Sequence, residues 1–267
     1  MKKIIFYKSA ILASIAFMFT SCDKVIDVKL NNASDKIDIE ANLTNVLGPQ
    51  TVYIRQNVPF TNTNAYPAVT GATVNITDQA GSNYVFTEGP SGTYKVNNAA
   101  GTVGSVYQLT VNTGGKTYTA RSTMPALVNL DTLLSKNDPF GGTNNRKLIS
   151  VVYKDPVGVP NQYRFVMYVN GVQVKRVFAF NDQFTDGKTN TTELDQNDID
   201  IYPGDTVKVE MQCIDPDIYT YWYTIGQQTD RGPGGSVAPS NPPSNLSNNA
   251  LGYFSAHTTQ TKTIVVK

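Results

Sequence analysis

Two groups of residues in this sequence have the types and spacing to do chemistry. The first ends the N-terminal apolar segment. Cys22 follows Phe19-Thr20-Ser21, and a largely apolar run from Ala10 to Phe19 precedes it, with Lys2 and Lys3 further upstream. A short apolar run behind a positive start is the pattern of a secretory signal and falls short of the roughly 20 residues needed to span a bilayer. Small residues directly before a cysteine form a lipobox, in which the thiol is acylated and the preceding peptide bond is cut. A lipobox more often has Leu where this chain has Phe19, and an ordinary signal peptide with an incidental cysteine is the alternative. Acyl chains contribute about 0.8 kcal/mol per buried CH2, so a lipidated Cys22 would hold the chain on a membrane.

The second group is the acidic stretch Asp182 to Glu193, DQFTDGKTNTTE. Asp182, Asp186, Gly187 and Glu193 fall where a calcium loop has its first, fifth, sixth and last key positions. Position three is Phe184, which cannot ligate a cation, and the flanks do not read as helices. Calcium held by Asp182, Asp186 and Glu193 is one expectation, and a solvated acidic turn is the other. His257 is the sole histidine. A Ser-His-Asp arrangement would have to use it, yet the chain has no Gly-x-Ser-x-Gly elbow, so a structural or exposed histidine is expected. Asp195, Asp198, Asp200 and Asp205 crowd one strand and turn, but sugar cleavage needs two carboxylates facing across a cleft. Tyr219, Tyr221, Trp222 and Tyr223 form an aromatic patch. At helical spacing Tyr221, Trp222 and Ile225 face the core, while Tyr219 and Tyr223 share the other side. Tyr253 alternates with Phe254 in a strand. Tyr219, Tyr223 and Tyr253 are therefore the candidate binding aromatics for a sugar or a partner.

The elements that must position these residues are mostly strands. Thr, Asn, Tyr and Val abound and charged residues are only 16 % of the chain, the usage of β-strands joined by polar turns. The 22 Lys and Arg nearly balance the 21 Asp and Glu. Loss of Lys2, Lys3 and Lys8 with the signal would tip the balance slightly negative, which leaves no electrostatic footprint for nucleic acid. Once Cys22 is lipidated only Cys213 is left; it alternates with Val207, Val209 and Met211 and reads as a small buried hydrophobe. Residues 22–35 read as a tether. Over 36–125, seven short runs such as KIDIEAN (Lys36 to Asn42) and TVYIRQ (Thr51 to Gln56) predict an immunoglobulin-like or transthyretin-like sandwich. Over 126–267 the expectation is a second β-sandwich. It contains a hairpin through Asn170-Gly171, strands at Asp198 to Tyr202 and Thr206 to Gln212, and one helix over Asp215 to Gln227 with Asp215 as N-cap. A loop from Arg231 to Asn248 and two closing strands, Gly252 to Ala256 and Thr261 to Val266, complete it.

Four stretches carry a family resemblance: Val69 to Tyr94 (VTGATVNITDQAGSNYVFTEGPSGTY), Gly115 to Pro125 (GKTYTARSTMP), the Phe-Asn-Asp segment leading to Asp186-Gly187-Lys188, and Asn245 to His257 (NLSNNALGYFSAH). Together they resemble a Bacteroidota lipoprotein family labelled domain of unknown function 4249. The resemblance covers nearly the whole chain after the signal. It implies an outer-membrane lipoprotein, often encoded beside TonB-dependent transporters, and brings no defined activity and no catalytic residues. Asp131-Thr132-Leu133 and Asp205-Thr206-Val207 also match the short Asp-Thr-aliphatic pattern that Bacteroidota use for O-glycosylation.

These readings converge on an all-β chain: a lipoprotein signal over 1–21, a lipidated tether over 22–35, and two β-sandwiches with one short helix. The expected function is a non-enzymatic outer-membrane accessory or ligand-binding partner of a TonB-dependent transporter. The alternative is a surface glycan-binding or adhesive module. A carboxylate hydrolase would need a pair of acids facing each other in a deep pocket.

Overall fold

The structure, a computed structural model, describes residues 36–58, 66–139, 145–229 and 240–267. The expected signal over 1–21, Cys22 and the expected tether lie outside the described residues. Among the described residues the regular structure is fifteen strands, one α-helix and a 3-10 turn at Pro90–Gly92: β1 (Ile37–Thr44), β2 (Gly48–Gln56), β3 (Thr73–Asp78), β4 (Asn83–Glu88), β5 (Thr93–Ala99), β6 (Val106–Thr113), β7 (Lys116–Thr123), β8 (Leu130–Asn137), β9 (Lys147–Lys154), β10 (Gln162–Val169), β11 (Val172–Gln173), β12 (Phe178–Asn181), β13 (Thr189–Glu193), β14 (Thr206–Ile214), the helix α1 (Pro216–Thr229) and β15 (Leu251–Val265). The expected all-β architecture of two sandwiches with a single helix is the one the chain adopts.

Alternation explains the first sandwich. In β1, Ile39, Ala41 and Leu43 are fully buried while Asp38, Glu40 and Asn42 face out. β2 repeats this with Val52 and Ile54 inside. A strand with one apolar face must cover it, and β3, β6 and β7 do so with Val74, Ile76, Leu109, Val111 and Ala120. The layer β15-β1-β2-β5 turns the corner through β4 into the layer β4-β3-β6-β7. The second sandwich packs the sheet β13-β9-β8 against β10, β14 and the end of β15. Its core holds Leu133, Ile149, Val151, Tyr153, Phe165, Met167, Val209 and Met211. Cys213 is buried there, where burial pushes its thiol pKa up, and its sulfur accepts from Val128 N at 3.3 Å.

Three local expectations are corrected. The two closing strands are one strand of 15 residues, β15. It pairs in parallel with β1 from Leu251 to His257 and antiparallel with β14 from Thr258 to Val265. Its Phe254 and Ala256 complete the first core, so the two cores share this strand. Asp198 to Tyr202 is not a strand. The Asp198 carboxylate instead accepts from Lys175 N and Arg176 N at 2.7 and 2.8 Å, in the stretch between β11 and β12. The hairpin before that stretch has the expected turn, with Asn170 at φ 50° and Gly171 at φ 82°.

The end of the Arg231 to Asn248 loop splices β7 to β15 and closes the first sandwich. Asn245 Nδ2 donates to Arg121 O at 2.9 Å and to Phe254 O at 2.8 Å, and its Oδ1 accepts from Phe254 N at 3.0 Å. Ser247 N donates to Thr119 O, and Ser247 Oγ accepts from Thr119 N, both at 2.8 Å. One side chain thus satisfies main-chain groups on two strands. Replacing Asn245 by Ala strands those groups and is expected to lower stability by about 2–3 kcal/mol, measured by urea unfolding; a loss under about 0.5 kcal/mol would contradict this closure.

Candidate functional site

A groove opens where the outer faces of β1 and β2 meet the start of β15 and the helix. The cavity is about 380 Å³, and Asp38, Glu40, Arg55, Asn57, Tyr66, Tyr221 and Asn241 line it. Strand period and register place its floor. Asp38 and Glu40 leave β1 on the same side, opposite Arg55 and Tyr53 of β2. Arg55 Nη1 lies 4.0 Å from Glu40 Oε1, and the guanidinium sits 5.1 Å from the Tyr53 ring centre. Gly252 forms part of the floor at φ 88°. A Cβ there would meet Ile39 O at 2.2 Å and Asp38 Oδ1 at 2.6 Å, so only glycine fits under the Asp38 carboxylate.

The walls are pinned to regular structure. Tyr66 begins a segment stitched to the end of β2: Gln56 N donates to Pro67 O at 2.8 Å, Val69 N to Ile54 O at 3.1 Å, and Arg55 bridges Ala68. Tyr66 keeps 54 % of its surface exposed. Tyr221 is held from behind by Tyr253 at 5.0 Å and edge-on by Trp222 at 5.2 Å between ring centres. The helix itself starts where expected. Asp215 Oδ1 accepts from Ile218 N at 3.0 Å as the N-cap, while its other oxygen takes Ser122 Oγ and Thr123 N. The loop past the helix is tied back by Gln228 Nε2 to Ser240 O at 2.8 Å.

Electrostatics at the floor are under tension. Burial, and then the negative charge of Glu40, raise the Asp38 pKa to about 6, with Arg55 pulling the other way. Burial and the nearby Asp38 push the Tyr221 phenol up as well.

The expected site residues divide. Tyr253 is corrected: it is only 6 % exposed and lies beneath Tyr221 and Trp222, because position 253 points at the helix. Its hydroxyl accepts from Asn42 Nδ2. Tyr219 and Tyr223 pair at 5.5 Å on the far side of the helix, with Tyr223 exposed and lining a smaller cavity of about 260 Å³ beside Trp222. Trp222 faces inward as its spacing indicates, and the Arg164 guanidinium stacks on it at 3.6 Å. The groove aromatics, Tyr66 and Tyr221, were not among the candidates. Tyr66 stands alone in a polar connection, and Tyr221 has the spacing of a packing residue.

The calcium loop is corrected at its last position. Glu193 lies in β13, paired with Ser150 of β9 and in an ion pair with Lys136. Asp182 and Asp186 instead meet Asp155, with one carboxylate oxygen from each within 4.8 Å of the others. Chain donors already serve this trio. Tyr163 OH and Gly187 N reach Asp155, Asn161 N reaches Asp182 at 2.7 Å, and Gly158 N reaches Asp186 at 2.7 Å. His257 is 2 % exposed, with Nδ1 2.9 Å from Ser255 Oγ, which is 1 % exposed. Burial lowers the imidazole pKa to about 4, so this serine-histidine pair is neutral and sealed from any substrate. Thr132 and Thr206 are exposed, while Leu133 and Val207 after them are buried.

Asp38 and His257 oppose each other in their pH dependence. The raised Asp38 pKa makes folding less favourable as pH rises from about 4 to about 6. The lowered His257 pKa contributes stability above about 6.5 that is lost as pH falls towards 4. Asp38→Asn removes only the first term. It should be more stable than the wild type by about 2 kcal/mol at pH 7.5, with the difference vanishing near pH 4, measured by urea unfolding. A pH-independent difference would contradict the assignment.

Comparison with solved structures finds a two-domain fibronectin type-III segment from chicken tenascin, at 12 % identity and TM-score 0.21, covering 67 % of this chain and 89 % of that one. It also finds the adhesin InvE of Yersinia pseudotuberculosis, at 20 % identity and TM-score 0.23, covering 66 % of this chain and 55 % of that one. No curated protein matches the sequence. The family profile described as "Domain of unknown function (DUF4249)" matches residues 23–263, nearly the whole chain after Cys22, and the chain belongs to that family.

Proposed function

We propose that this chain is a lipid-anchored, non-catalytic binding protein of the bacterial outer membrane that serves a TonB-dependent transporter. The observation that carries the binding role is the open groove between Tyr66 and Tyr221. It offers charged and polar groups at a solvent-reachable floor, while the only histidine and its serine neighbour are buried. Asp38 and Glu40 stand side by side on one strand. They do not face each other across a cleft as the acid and nucleophile of a glycosidase do. Anchoring is supported by Cys22 and the apolar run before it. No helix among the described residues is long and apolar enough to cross a membrane. The transporter partnership is supported by the gene neighbourhood that the family resemblance implies, an argument from association.

A second reading is a free-standing surface glycan-binding module. The exposure of Tyr66 and Tyr223 favours it, since outward aromatic rings suit sugar stacking.

Two measurements test the proposal. Cys22→Ala should move the protein from the membrane pellet to the soluble fraction, and unchanged fractionation would overturn the lipid anchor. A C-terminal tag on the native protein, pulled from outer membrane in mild detergent, should bring a β-barrel transporter in near-equal amount. Recovery of the lipoprotein alone would overturn the partnership and leave the free-standing module.

A further inference from the structure

We infer that the groove between Tyr66 and Tyr221 is a carbohydrate site that takes a neutral saccharide of one or two rings. The inference rests on the reading of the chain as a binding protein and not on the transporter.

Three features select this class. The first is the mixture of hydrogen-bonding groups. Asp38 and Glu40 accept, Arg55 donates, and Asn57 and Asn241 can do both. A sugar hydroxyl is donor and acceptor at once, so a floor that alternates the two satisfies it on both counts. An anion would meet two carboxylates against one guanidinium. A simple cation would meet Arg55 lying 4.0 Å from Glu40, where it already occupies the favourable position.

The second feature is the pair of rings. Tyr221 is clamped by Tyr253 and Trp222, so its orientation is fixed before a ligand arrives. Tyr66 presents an exposed ring on a segment tied to β2 by the hydrogen bonds of Gln56 and Val69. Fixed aromatics beside polar groups give contact area for the C–H face of a sugar at low ordering cost. The third is size and open space. The cavity of about 380 Å³ sits in the lower part of the range for ligand sites, ~300–1,000 Å³. Gly252 keeps the floor low: the Cβ of any other residue would collide with Asp38 and Ile39.

The test is affinity gel electrophoresis of the folded protein starting after the lipidated cysteine. Each gel contains one neutral polysaccharide: starch, xylan, inulin or galactomannan. The wild type should be retarded by at least one. Tyr66→Ala and Glu40→Gln should each weaken that retardation by about tenfold in apparent affinity without lowering the urea midpoint. Tyr66 is exposed and Gln is the closest isostere of Glu40, so neither change threatens the fold. No retardation by any of the four polysaccharides would overturn the inference. So would retardation that both variants retain, since it would place the contact elsewhere. Retardation accompanied by new reducing ends would keep the saccharide site and overturn the non-catalytic reading, so the two failures are distinguishable.

Discussion

Strand β15 must satisfy two sheets at once, and the rest of the molecule depends on how it does so. A strand has two edges of main-chain donors and acceptors, and each buried group needs a partner. From Leu251 to His257 one edge is taken by β1. From Thr258 onward β14 supplies the partner, and among the described residues no strand ladders with the other edge of the first half. Side chains cover that gap. Asn245 closes on Phe254, and Ser122 Oγ accepts from Ala256 N at 2.8 Å. Ser122 in turn donates to Asp215, whose other oxygen caps the helix. One relay therefore joins β7, β15 and α1.

The groove is a product of this junction. Parallel pairing with β1 sets Gly252 beside Ile39 and Tyr253 beside Glu40, which places the helix above Tyr253 and Tyr221 at the groove wall. The site is kept at a cost. Two carboxylates two residues apart on one strand repel each other, and partial burial of Asp38 adds to the penalty. A fold selected only for stability would place a neutral residue there. Strain of this kind at a concave, ring-walled site fits the binding role proposed above. His257 shows the opposite arrangement. It is buried, neutral and hydrogen-bonded, a packing group despite being the only imidazole.

Much of the fold was legible because its signals were local. Alternation in KIDIEAN and TVYIRQ, the Asn170-Gly171 turn and the Asp215 cap are each set by neighbours in sequence. What was not legible depends on distant partners. β15 is interrupted by no turn residue, yet its polar stretch Thr258 to Gln260 looked like a gap; Thr258 is in fact fully buried. Loop spacing puts Glu193 at a ligand position but cannot reveal that β13 pairs with β9. Asp155 joins Asp182 and Asp186 across nearly thirty residues of sequence, beyond the reach of any short motif. The groove was half visible. Period two put Asp38 and Glu40 on one face, but nothing in the sequence brings Tyr66 and Tyr221 beside them.

The measurement that tests the shared strand most directly is native-state hydrogen exchange of the main-chain amides of β15. If the strand locks both cores into one unit, the protected amides from Ile39-facing Gly252 through Ile264 open only by global unfolding, with one common free energy on both sides of Thr258. Two separate energies, one for the half against β1 and another for the half against β14, would show that the cores open independently and contradict the account.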